Sequence, residues 1–217
     1  MGKWILLIAI GYGAWSWHTG SLPWMNGPGA FDENDNPLVY LFTYPNCGKP
    51  CNEGRNLLKK RRVDFTEMQV DINNNELEAT RVWKKFRDNN MFPLIVAGSQ
   101  KVVGPDRAAI AGALAMNFGE QHLTGSEKRY FRNHFYPDGS AKIVMYGADW
   151  CGYCAKLRKE LKDNGLDFVE IDVDNHANKK HIAETMGVYG YPTTYVGYTR
   201  VRGVDMKAVK LAMKSNY

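Results

Sequence analysis

Two closely spaced cysteine pairs, Cys47-Gly48-Lys49-Pro50-Cys51 and Cys151-Gly152-Tyr153-Cys154, use all four cysteines of the chain. Each opens one of two similar stretches of about eighty residues. That repetition constrains the fold more than any other feature, because one structural unit must then serve twice. The landmarks recur in order. Val63-Asp64-Phe65 matches Leu166-Asp167-Phe168, and Gln69-Val70-Asp71 matches Glu170-Ile171-Asp172. Phe92-Pro93 matches Tyr191-Pro192, and Val103-Gly104-x-Asp106 matches Arg202-Gly203-x-Asp205.

Apolar runs and breakers predict the same elements in each copy. In the first copy, strands are expected at 38–42 and 63–70, with helices at 52–62 and 76–89. A hairpin is expected from 93–96 and 101–103, and a last helix over 106–118 with a cap near Asp106. The second copy predicts a strand at 142–146, a helix over 153–164 stopped by Gly165, and a strand at 166–171. A helix at 176–186, a hairpin from 192–196 and 200–201, and a helix over 205–214 complete it. A βαβ crossover gives a parallel pair and the hairpin an antiparallel one. Each copy is therefore an α/β unit with a four-stranded mixed sheet flanked by helices. The expected organisation is domain 1 over 37–119, a linker over 120–140, and domain 2 over 141–217. The linker run Tyr130-Phe131-Arg132-Asn133-His134-Phe135-Tyr136 reads as packing surface rather than a ligand site.

The N-terminus differs in composition. No Asp, Glu, Lys or Arg occurs from Trp4 to Phe31. Residues 1–24 read as a membrane anchor, with Trp4, Trp15, Trp17 and Trp24 as interfacial residues. A cleaved signal segment and a buried helix are the alternatives. Residues 25–36 form a linker. Lys3 precedes the apolar run and Asp32, Glu33 and Asp35 follow it. The positive-inside rule then places the body on the extracytoplasmic, periplasmic side; a cytoplasmic location is the alternative. The formal charge of +5 is modest, with both signs interspersed. The basic run Lys59-Lys60-Arg61-Arg62 closes a predicted helix, where cations suit the dipole. It lacks the motifs of a nucleic-acid reader, so no nucleic-acid partner is expected.

A cysteine at a strand-to-helix junction sits where unpaired N–H groups and the helix dipole favour a thiolate. Cys151 is the expected nucleophile and Cys154, one turn on, the resolving thiol of thiol–disulfide exchange. Trp150 would shield the sulfur. Half a zinc site and a purely structural disulfide are the competing readings. Zinc would need two further ligands nearby, and His176 and His181 lie on a separate predicted helix. His18, His122, His134, His176 and His181 all read as solvated.

The second copy resembles the glutaredoxins, within the thioredoxin fold, over residues 141–217. Trp150-Cys151-Gly152-Tyr153-Cys154, Tyr191-Pro192-Thr193 and Arg202-Gly203-Val204-Asp205 carry the resemblance. It implies a cis Pro192 facing the cysteine pair. Tyr191 and Pro192 would clamp a bound backbone, and Tyr153 would line the groove. Gly203, Val204 and Asp205 would hold the end of glutathione. The chain departs from the family in Gly152, where proline is common, and in the run Tyr146-Gly147-Ala148-Asp149-Trp150, which is closer to thioredoxins.

The first copy keeps the fold pattern with a changed Cys-x₃-Cys site. Cys47 and Cys51 are its candidate redox pair, and Pro93 and Asp106 its groove residues. Pro50 is compatible with a helix only in the first turn. The expected function is exchange on protein disulfides or glutathione mixed disulfides. Glutathione and protein thiols are the expected partners, with glutathione as co-substrate and no bound cofactor or metal. The rival is a binding or copper-delivery module without turnover. Copper handling would call for a distal histidine, and none lies between 48 and 121.

Overall fold

The structure is a computed structural model describing residues 29–215. The expected anchor at 1–24 lies outside them. Among the described residues no helix is long and apolar enough to cross a membrane. Residues 29–59 and 63–105 form one compact unit, and residues 60–62 and 106–215 the other.

The first unit contains β1 (Val39–Thr43), α1 (Lys49–Lys60), β2 (Thr66–Gln69), α2 (Glu78–Phe86), β3 (Leu94–Ala97) and β4 (Gln100–Val103). The strand order is β2-β1-β3-β4. β1 is parallel to β2 and antiparallel to β3, which pairs antiparallel with β4. Only a crossover can join a parallel pair, and α1 supplies it. α1 starts before Cys51, with Pro50 in its first turn, where a missing N–H costs nothing. β2 begins later than expected because the Val63 amide is still bonded to Leu58 O, closing the helix end. α2 is shorter than expected. Asn74 Oδ1 takes the Glu76 amide and Asn89 Oδ1 the Met91 amide, so these side chains compete with helical pairing at both ends. Phe42, Val70, Trp83, Phe86, Leu94 and Val96 fill the core.

The second unit contains α3 (Arg107–Phe118), α4 (Gly125–Phe131), β5 (Ile143–Gly147), α5 (Gly152–Asp163), β6 (Phe168–Asp172), α6 (Lys179–Met186), β7 (Thr193–Val196), β8 (Thr199–Arg202) and α7 (Met206–Ser215). Its sheet order, β6-β5-β7-β8, repeats that of the first. Period-two alternation on β5 divides the core. Val144 and Tyr146 face one cluster, with Phe131, Ile182 and Tyr195, whereas Ile143 and Met145 face the cluster that holds both cysteines.

Three sequence expectations need revision. The helix over 106–118, expected in domain 1, falls by compactness in the second unit. Gly112 lets it approach the β7–β8 turn, since a Cβ there would stand 2.5 Å from Tyr198 O. The stretch 120–140 is more than a linker. It carries α4, entered by a capping box of Thr124 and Glu127, and its Leu123, Tyr130 and Phe131 are core residues. His134 is buried rather than solvated.

The repeat alignment also shifts by two residues in one place. Thr43 pairs with Gln69, and Gly147 with Asp172. Gln69-Val70-Asp71 therefore corresponds to Asp172-Val173-Asp174, and Glu67 to Glu170.

Candidate active site

In the second unit, β5 delivers the chain to the turn Ala148-Asp149-Trp150, and Cys151 caps α5 in extended backbone. Its Sγ accepts the Cys154 amide at 3.1 Å. A thiolate at that position gains an N–H partner and the positive end of the helix dipole. Cys151 and Cys154 form a disulfide with Cα atoms 5.2 Å apart. Cys154 is wholly buried and Cys151 nearly so. The aromatics on either side of Cys151 in the chain are exposed: Trp150 is 75 % and Tyr153 71 % exposed.

The residues named from the sequence gather here. Tyr191-Pro192 is a cis peptide, and Tyr191 and Val204 pack on the cluster that contains both sulfurs. The Gly203 amide bonds Pro192 O at 2.9 Å, which ties the proline loop to the Gly-x-Asp turn. Gly203 has φ 69°, left-handed backbone where a side chain is strained. Asp205 Oδ1 accepts the Ala208 amide at 2.8 Å and starts α7.

Asp174 was not anticipated, and it organises this surface. Its carboxylate accepts Trp150 Nε1 at 2.7 Å and Tyr191 Oη at 3.2 Å, and pairs with Lys179. The Lys179 bond, then that of Trp150, holds its pKa below the usual carboxylate value. The indole and phenol, which meet edge to face with ring centroids 6.0 Å apart, are thus held by one carboxylate. The corresponding Asp71 instead accepts the Asn73 amide. Its unit has Asn46 and Phe92 where Trp150 and Tyr191 stand, so the sequence difference was available as a signal.

The first unit has a related but different site. Cys47 and Cys51 form a disulfide with Cα atoms 5.7 Å apart. Phe92-Pro93 is cis, and the Gly104 amide bonds Pro93 O at 2.8 Å, as in the other copy. α1 crosses close to the proline: a Cβ on Gly54 would stand 3.1 Å from Pro93 Cγ. A polar cleft of about 490 Å³ is lined by Thr43, Cys47, Cys51, Asn52, Arg55 and Glu67. Arg55 holds Glu67 through two bonds, Nε to Oε2 at 2.7 Å and Nη2 to Oε1 at 2.6 Å, and these depress the Glu67 pKa.

Asp106 does not match its expected role. It caps α3 by accepting the Ala109 amide at 3.0 Å, and its Oδ2 is taken by Arg200 and, at 2.8 Å, by Arg202. Burial pushes its pKa up, but the Arg200 bond, the amide and both guanidinium charges leave it below the ordinary value. This carboxylate is committed to an ion pair within the second unit. Among the described residues, no group of three or more His, Cys, Asp or Glu could hold a metal ion.

The repeated sheet order gives a thioredoxin-like fold present twice, and in the second unit the capped cysteine pair makes it one of the thiol–disulfide oxidoreductase type. The glutaredoxin family model matches residues 143–201. A glutaredoxin of Pseudomonas aeruginosa is 33% identical over 64 residues, covering 29% of this chain and 76% of that protein. The chain belongs to the glutaredoxin family. A thioredoxin domain-containing protein of Acanthamoeba polyphaga mimivirus is 31% identical over 90 residues; the match covers 37% of this chain but only 26% of the viral protein. Among solved structures, the glutaredoxin of Archaeoglobus fulgidus has 29% identity and a TM-score of 0.31, covering 40% of this chain and 95% of its own. That of Methanosarcina mazei has 23% identity and a TM-score of 0.30, covering 37% and 97%.

Proposed function

We propose that the second unit catalyses thiol–disulfide exchange on protein disulfides or glutathione mixed disulfides, with Cys151 as nucleophile and Cys154 as resolving thiol. The observation that carries this is the Cys151 sulfur at the start of α5, accepting the Cys154 amide, with Cys154 buried one turn on. In the reduced protein, the Cys151 thiolate attacks a substrate sulfur and the departing thiolate takes a proton from solvent. Cys154 then attacks Cys151, closes the disulfide and releases the bound thiol. Trp150, Tyr153 and Tyr191 form the aromatic walls of the groove. The cis Pro192 loop presents backbone to the bound peptide, and Gly203, Val204 and Asp205 receive the glutathione end. Asp205 is exposed, which suits that role.

Cys47 and Cys51 form a second redox pair that relays electrons or serves a separate substrate, with Pro93 beside it. The charge-free run from Trp4 to Phe31 supports membrane attachment, and Lys3 before it with Asp32, Glu33 and Asp35 after it supports placing the body on the extracytoplasmic side. The test is reduction of a glutathione mixed disulfide by the chain with excess glutathione, beside its Cys151→Ser variant. Turnover that vanishes in the variant is expected. Equal turnover in both would remove Cys151 from the reaction, and none in either would remove glutathione.

A further inference from the structure

Each unit carries an arginine four residues after its second cysteine, paired with a glutamate on the strand parallel to the central one. In the first unit the pair is Arg55 with Glu67, in the second Arg158 with Glu170. The two pairs differ in how much of the carboxylate they use. Glu67 has both oxygens engaged: Arg55 binds each of them, and Thr43 Oγ1 also donates to Oε1 at 3.2 Å. Arg158 donates only Nε, to Glu170 Oε2 at 2.7 Å. Among the described residues, Glu170 Oε1 receives no hydrogen bond.

That open oxygen and the resolving cysteine both lie next to Gly147. Gly147 stands where the first unit has Thr43. A Cβ on Gly147 would lie 3.0 Å from Cys154 Sγ and 3.2 Å from Glu170 Oε1, so the sulfur and the carboxylate oxygen border one small space with no side chain between them. Cys154 is itself wholly buried, and its thiol must lose a proton before it can attack. The other charged groups around the carboxylate are Arg158 from α5 and Asp149, which acts on Arg158.

We infer that Glu170 is the proton acceptor for Cys154 in the resolving step, and that the closed Arg55–Glu67 pair gives the Cys47–Cys51 unit no counterpart. The inference rests on the exchange reaction proposed above. In that step the Cys154 S–H proton passes to Glu170 Oε1, directly or through one water. The Cys154 sulfur bonds to Cys151 Sγ, and the bond from Cys151 to the bound thiol breaks. Cys154 is oxidised and the departing sulfur is reduced. The departing thiolate takes up a proton, from solvent or from the Glu170 carboxylic acid.

The test uses the full chain with Cys47→Ser and Cys51→Ser, fully reduced and mixed with 5,5′-dithiobis(2-nitrobenzoate). Cys151 forms a mixed disulfide, and Cys154 then expels the second thionitrobenzoate, seen as a slower rise in absorbance. Glu170→Gln should slow this second phase on the order of 10²-fold near neutral pH. The deficit should narrow as pH rises beyond about 8.5, the ordinary thiol value, because hydroxide can then take the proton in place of the carboxylate. Glu170→Asp, which keeps the carboxylate with a shorter reach, should fall between them, and carries the test alone if Glu170→Gln does not fold. A parent-like second phase in these variants overturns the inference. So does a slowing of Glu170→Gln that is equal at every pH, since that marks a displaced Cys154. Failure of the parent to form the first adduct would instead sink the exchange reaction itself.

Discussion

Lowering the pH from 7.5 to 4 should cost the second unit about 3 kcal/mol of stability through one residue, His134. Its ring is fully buried between Phe131, Tyr146 and Tyr195. Nδ1 lies 3.0 Å from Gly197 O, so it carries the hydrogen and donates. Nε2, 2.8 Å from Tyr146 Oη, then accepts from that hydroxyl. The neutral ring is thus fully satisfied. Burial lowers its pKa from 6.5 to about 4, against a smaller opposing effect of the Gly197 carbonyl. The folded pKa is the depressed one, so the contribution is complete above pH 6.5. It is lost as pH falls toward 4, because only the unfolded chain takes up the proton. Each pH unit in that window is worth about 1.4 kcal/mol, which gives about 3 kcal/mol in all. Urea unfolding at several pH values, with His134→Gln alongside, isolates the effect, since the carboxylates titrate alike in both chains. The wild type should lose about 3 kcal/mol more than the variant between pH 7.5 and 4. Parallel curves, or a His134 ring titrating near 6.5 by NMR, would refute the reasoning.

Other consequences follow from the same packing. Glu127 is buried with Arg61 at 2.5 Å and Arg107 at 3.2 Å, so Glu127→Ala should destabilise the chain by about 3–5 kcal/mol in chemical denaturation. Gly112→Ala should cost about 1–3 kcal/mol by the same measurement, because the new methyl meets Tyr198 O. Asp174→Ala frees the Trp150 indole and the Tyr191 hydroxyl; it should alter Trp150 emission and lower kcat/KM about tenfold. Because its pKa is depressed, the Asp174 contact should be complete above the usual carboxylate range and lost only as pH falls through its lower value, a profile that tryptophan emission can follow.

Much of the site could be read from residue order because its chemistry is local. A cysteine at a strand end, a proline before a strand and a Gly-x-Asp before a helix each act through their own backbone. What escaped the sequence depends on partners far along the chain. His134 sits in a polar-looking stretch, and only Tyr146 and Gly197 make it a core residue. Asp106 looks like Asp205, yet Arg200 and Arg202 claim it from 94 and 96 residues away. The two-residue slip in aligning Gln69-Val70-Asp71 has a simple cause: a strand repeats every two residues, so both alignments preserve the inward and outward pattern. The Arg–Glu pairs were open to discovery, since Arg55 and Arg158 stand four residues after the second cysteine in both copies.

The most direct test of the central claim is to trap the exchange intermediate. The Cys154→Ser chain, reduced and then mixed with a glutathione mixed disulfide, can accept the substrate thiol but cannot release it through Cys154. Peptide mass mapping should find the adduct on Cys151. A chain that turns over substrate yet carries no adduct on Cys151 would contradict the account.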